Sequence, residues 1–249
     1  MLLNIIWNSL GRILVTASTY LATPFLIKIY GIDSFGIISL SLILYTVLAG
    51  LDFGITQSLN RYTAGAKSNI DSLEVVSKLM SVLQVLYLII LVIFLLNIKY
   101  ISLFILDSWL NLSNHPQKVI YLNSIFFMIL GISFRWLAGI YRAVLFGSEK
   151  HFIVNLADIV SVFLAFFGPI LLNLFVEINL SFFFLIQAAI WILYFLIIFF
   201  ITQWEMKRIG MKFTLIYKGK FPISYLSKVS VIAIFTVFLA NLDKLYVSN

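Results

Sequence analysis

Long apolar runs separated by short polar joints set the pattern of this chain. A bilayer crossing takes about 20 apolar residues, and the runs predict six helices plus a seventh. They are expected over 10–30, 35–60, 79–96, 119–146, 152–176 and 180–203, with the seventh starting near 223 or 230. The runs are continuous rather than alternating with period two, which favours helices over barrel strands. Pro24 is expected to kink the first helix and Gly168-Pro169 to break the fifth, because proline removes a backbone donor. The joints carry the turn chemistry. Gly31-Ile32-Asp33-Ser34 links the first two helices, 61–78 the next pair, and Gly147-Ser148-Glu149-Lys150 the fourth and fifth. Residues 97–118, with Asp107, His115 and Pro116, predict an exposed loop, and Glu177-Ile178-Asn179 a very short link. Phe182-Phe183-Phe184 and Phe199-Phe200 are expected to face lipid.

Composition moves the picture from buried core to bilayer. The 249 residues are 62% hydrophobic and only 11% charged, with a mean hydropathy of +1.08. An ordinary soluble domain is about 25% charged. Lipid offers no backbone partners, so helices must satisfy their own. The predicted fold is therefore all-α: a polytopic membrane protein with a six-helix bundle and a seventh helix. The net charge of +7 follows from loop cations and does not indicate nucleic acid. There is no cysteine, and His115 and His151 lack ligand spacing, so no metal and no cofactor is expected. No nucleophile elbow, P-loop or dinucleotide motif appears, so no enzyme activity is expected. The single Arg12 and the lack of a small-residue cleavage site make the first helix a retained span.

Charge then orients the chain. With the N-terminus in the cytoplasm, twelve of the Lys and Arg residues fall inside and four outside. The inner set includes Arg12, Arg61, Lys78, Arg142, Lys150 and the basic stretch 204–228; the outer set is Lys28, Lys99, Lys118 and Lys244. Positive charge concentrates on cytoplasmic loops, so the N-terminus is placed inside.

Some charges lie within the apolar runs, where ionisable groups mark functional sites. Asp52 sits about 25 Å below the outer end of the second predicted helix, and Arg135 about 24 Å down the fourth. Asp158 sits about 9 Å in from the inner end of the fifth, so all three share a depth. Arg135 and Arg142 are seven residues apart and share a helix face, flanked by Trp136 and Tyr141. One reading is a cationic lining for an anionic head group, since the guanidinium fork donates two bonds to phosphate. The other is a structural Asp–Arg pair, with Arg142 snorkelling to the interface. Asn241, Asp243 and Lys244 near the outer end of the seventh helix, and Lys28 near that of the first, allow either a site or an interfacial exit. Gly50 and Gly54 form a small-xxx-small pattern expected to pack helices closely.

Several short motifs recur in order along the chain. They are Trp7-Asn8 with Gly11; Tyr30-Gly31 and Phe35-Gly36; Leu51-Asp52-Phe53-Gly54 with Ser58-Leu59-Asn60-Arg61; the run Tyr141 to Gly147 followed by Asn155 and Asp158; and Asn241-Leu242-Asp243-Lys244. Together they resemble the polysaccharide-unit flippases of the multidrug/oligosaccharidyl-lipid/polysaccharide exporter superfamily. The resemblance implies a bundle over 1–203, a basic linker over 204–228, and over 229–249 the first helix of a second bundle. The chain is accordingly expected to be a fragment or a truncated reading frame. It implies a transporter in the bacterial inner membrane that flips an undecaprenyl-diphosphate-linked sugar unit for surface polysaccharide by alternating access, with the polysaccharide polymerase machinery as a further partner. Arg135, Arg142, Lys28 and Lys244 would bind substrate; Asp52, Asp158 and Asp243 would pair with cations, and Asp52 would carry a coupling proton or sodium ion. The alternatives are a multidrug cation exporter, which would want an acidic cavity, and a membrane polymerase, which would want a larger charged outer loop.

Overall fold

The computed structural model describes residues 2–50, 54–66, 70–110, 112 and 115–210. Among them every regular element is a helix. The elements are α1 (Leu2–Gly50), α2 (Ile55–Ala66), α3 (Ile70–Phe104), α4 (Lys118–Gly147), α5 (His151–Asn173) and α6 (Leu180–Arg208), with a π-helical turn, Ile105–Trp109, closing α3. Five of the helices are long and apolar enough to cross a membrane. The chain is thus built as a multi-pass membrane protein.

The 49 residues of α1 would run about 74 Å if straight, more than twice a bilayer core of about 30 Å. It is not straight. Gly31 stands at φ 79°, ψ 169°, outside the helical region, in a conformation that a side chain would strain. Arg12 and Tyr45 border the same cavity, although 33 residues of straight helix would separate them by about 50 Å. The chain therefore reverses at Gly31, as the turn residues predict, and α1 is a hairpin of limbs 2–30 and 32–50. Gly54, at φ 74°, makes the next break. The expected single helix over 35–60 is therefore two pieces, and Gly54 sits at the turn between them.

α4 is the axle of the bundle. It touches α1, α2, α3, α5 and α6, and more than half of its 30 residues are buried. Its contacts use small residues, as expected where close approach replaces the hydrophobic effect between helices. A Cβ on Gly131 would lie 3.1 Å from the Ala188 backbone of α6, and one on Gly147 only 2.5 Å from the Asn60 carbonyl oxygen of α2. The first limb of α1 starts beside the start of α5: the Trp7 and Phe152 rings meet edge to face with centroids 4.7 Å apart. At the opposite end, Lys118 Nζ reaches Asp107 at 3.3 Å across the α3–α4 connection.

Other boundaries also differ from expectation. The third helix runs on to Phe104 and the π-helical turn, so much of the expected loop 97–118 is helical. Pro169 lies inside α5 without breaking it. α6 continues to Arg208, past the expected limit at 203, and ends with its cations in the last turn, where they complement the helix dipole. Phe183 and Phe184 are fully buried while Phe182 is exposed. A turn of 100° per residue cannot present three consecutive rings to lipid. The linker beyond 210 and the seventh helix lie outside the described residues.

Gly147→Ala should lower stability by about 1–3 kcal/mol, because the added methyl overpacks against α2. Gly168→Ala, where no atom lies within 4 Å of the added carbon, should instead raise stability by up to about 1 kcal/mol, because alanine is the better helix former. Thermal unfolding of the purified protein in detergent compares the two.

Candidate functional site

Polar and ionisable groups inside a bundle that crosses lipid face one another or a water-filled space, and mark candidate sites. Here polar groups converge. A hollow of about 330 Å³ opens between both limbs of α1, α2, α4, α5 and α6, and a second of about 240 Å³ adjoins it between the second limb, α2, α3 and α4. Tyr45, Asn60, Arg135, Arg142 and Phe146 border both and form the ridge between them. Arg135 and Arg142 face one crevice because they are two turns apart on the buried axle.

The two arginines are held in different ways. Arg142 Nη2 donates to Asp158 Oδ2 at 2.5 Å, and Tyr194 OH donates to Asp158 Oδ1 at 2.5 Å. Asp158 thus ties α4, α5 and α6 together. The side chains of Arg142 and Asp158 are 27% and 19% exposed, so the pair is only partly screened by solvent. Sequence reasoning placed Asp158 level with Arg135 and Asp52 and expected those three to pair. The structure corrects this for Asp158: its partner is Arg142, two turns further along α4 than Arg135. Asp52 lies outside the described residues, as do Asp243 and Lys244.

Arg135 takes no carboxylate among the described residues. Its guanidinium carbon lies 3.8 Å from the centre of the Tyr45 ring and 4.1 Å from that of Trp191. Such contacts are worth about 0.5–2 kcal/mol each, more when desolvated. They hold the cation without neutralising it. The fork keeps its charge and its in-plane donors for whatever enters the hollow.

Arg12 supplies a third cation from the first limb, and Lys28 does not. Lys28 is exposed, sixteen residues further along the limb and about 24 Å from Arg12 along the helix axis, and borders neither hollow. The opposite wall is polar but uncharged. Asn155 Nδ2 donates to Asn8 Oδ1 at 2.8 Å, and His151 Nδ1 stands 3.2 Å from the same oxygen. A Cβ on Gly11 would strike Asn155 at 2.9 Å, so glycine is what lets the first limb approach α5 here. Asn8, Gly11, Asn155 and Asp158 stood out as short motifs far apart in the chain, and the fold gathers them at one wall. Asn60 stood in the motif Ser58-Leu59-Asn60-Arg61, whereas Tyr45, Trp191 and Tyr194 carried no role in the sequence reading. Their signal was a polar or amphipathic residue within an apolar run, which is weak for Tyr and Trp because interfacial belts use the same types.

A second ionic cluster stands apart from the hollows. Glu205 is buried, with Lys150 Nζ at 3.8 Å and Arg208 Nη1 at 3.4 Å from its Oε2. It joins the α4–α5 link to the end of α6.

Asp158→Ala should destabilise the protein by about 3 kcal/mol, because it strands a largely buried guanidinium. The double change Arg142→Met with Asp158→Leu should recover at least half of that loss. Chemical or thermal unfolding of the single and double variants measures the difference.

The chain matches no family model, no curated protein and no solved structure.

Proposed function

We propose that this chain forms a transport unit that carries an anionic lipid head group across a bilayer, and that the cargo is a polyprenyl-diphosphate-linked sugar unit. The observation that carries the reading is Arg135: a cation inside an apolar bundle, gripped by Tyr45 and Trp191, without a carboxylate among the described residues. Burying a diphosphate in hydrocarbon without partners is prohibitive. A hollow offering Arg135, Arg12 and Arg142 replaces the lost water with donors of opposite charge. The polyprenyl tail stays in lipid while the head passes between helices. The resemblance in motif order to the polysaccharide-unit flippases agrees with that cargo.

The roles divide. Arg135 receives the anion. Arg142 borders the same hollow, but Asp158 and Tyr194 hold it, so it serves first as a brace. A cation exporter would need an unspent acid in the hollow. Asp158 is the one acid among the described lining residues, and its two oxygens are already committed.

The proposed orientation puts the N-terminus, the α4–α5 link and the end of α6 in the cytoplasm, with the α3–α4 connection outside. In this reading the three arginines lie in the inner half of the bilayer, where a head group made in the cytoplasm would first arrive.

Arg135→Glu should abolish display of surface polysaccharide in cells that depend on this protein. Arg135→Lys should retain a small part, since a point charge cannot donate as a fork. Display by the Glu variant equal to the parent would remove Arg135 from the mechanism. The orientation has its own test, made clean by the absence of native cysteine. A cysteine at Gln117 should react with an impermeant maleimide in intact cells, and one at Glu149 only after permeabilisation.

A further inference from the structure

The second hollow carries an inference of its own, centred on Gly139. Glycine inside a helix costs about 1 kcal/mol relative to alanine, so its place needs a reason. For Gly11, Gly131 and Gly147 the reason is close packing, because a Cβ there would meet a neighbour at 2.5–3.1 Å. Gly139 has no such neighbour. Its nearest contact would be Thr56 Cγ2 at 3.7 Å, an ordinary van der Waals distance. Gly36 and Gly168 also have open space, but neither borders a hollow. What Gly139 borders is the second hollow, across from Thr56 and Gln57 of α2. Any side chain at 139 would grow into that space.

The walls say what the space is shaped to hold. No acid lies among the described lining residues, and Thr56, Gln57 and Asn60 bring a hydroxyl and two amides. Amides both donate and accept, which matches vicinal hydroxyls. Tyr87 and Trp136, stacked on each other with centroids 4.2 Å apart, add aromatic carbon to the same lining. A pyranose ring has that character, with hydroxyls around its rim and C–H groups on its faces. The ridge of Arg135 joins this hollow to the anion site.

Resting on the transport reading above, we propose that the second hollow is a subsite for the sugar next to the diphosphate, and that Gly139 sets the size of ring it admits. Selectivity for sugar then lies in α2, α3 and the 139 position, and affinity for the anion in Arg135.

The test uses the whole protein in lipid nanodiscs and two probes: a short polyprenyl diphosphate, and the same lipid bearing one N-acetylglucosamine. The parent should bind the sugar-bearing probe at least tenfold more tightly. Gly139→Leu should erase that advantage while leaving affinity for the bare diphosphate within about twofold. Gln57→Met, similar in size but without the amide, should lose part of the advantage and keeps the test open if the Leu variant does not fold. A parent that binds both probes equally overturns the sugar subsite and leaves the anion site standing. So does a Gly139→Leu protein that loses both probes alike or neither. A parent that binds neither probe overturns the subsite and the transport reading together.

Discussion

A carboxylate within an apolar bundle is what the arrangement hangs on. A buried carboxylate is costly unless its oxygens are hydrogen-bonded, and two helices answer for Asp158: α4 through Arg142 and α6 through Tyr194. That pairing sets the rotation of α4, because Arg142 must face α5. Arg135, two turns away on the same stripe, is then obliged to face the crevice as well. A structural ion pair thereby aims a second cation that it does not neutralise. Pairs of this kind add little net stability over a well-packed apolar substitute, but breaking one is costly. Their value here is geometric.

The rest of the bundle makes room for that geometry. Gly31 turns α1 back on itself, so that limb residues 33 positions apart reach one cavity. Gly11 lets the first limb close on α5, and Gly147 lets α4 close on α2. Where the helices do not close, between α2, α3 and the upper part of the Arg135 ridge, polar and aromatic side chains line open space.

Much of this was legible in the sequence. The apolar runs located the helices, since only lipid tolerates such lengths, and the seven-residue spacing put Arg135 and Arg142 on one face correctly. The turn at Gly31 was marked by its neighbours. Partnership was not legible. Depth along separate helices suggested that Asp158 would meet Arg135, but helix rotation decides which side chains touch, and rotation is set by packing. Lys28 lies too far along the first limb to reach either hollow, whereas Arg12 borders the larger one. The Phe182–Phe184 run misled because composition carries no phase. Helix ends were underestimated at Phe104 and Arg208, since polar residues near an interface can extend a helix as readily as end it.

The aromatic grip on Arg135 has an electrical corollary. The described residues around the larger hollow hold three guanidinium groups and one carboxylate. An excess of positive charge surrounded by hydrocarbon attracts small anions from solution, because bare cations in a medium of low permittivity are unfavourable. On the proposed reading, a bulky anion then arrives by exchange with chloride or a similar ion rather than into an empty space. Its apparent affinity will follow which salt is present, strongly hydrated fluoride or weakly hydrated thiocyanate, more than the total ionic strength. Titration in matched concentrations of those two salts would expose the competition directly.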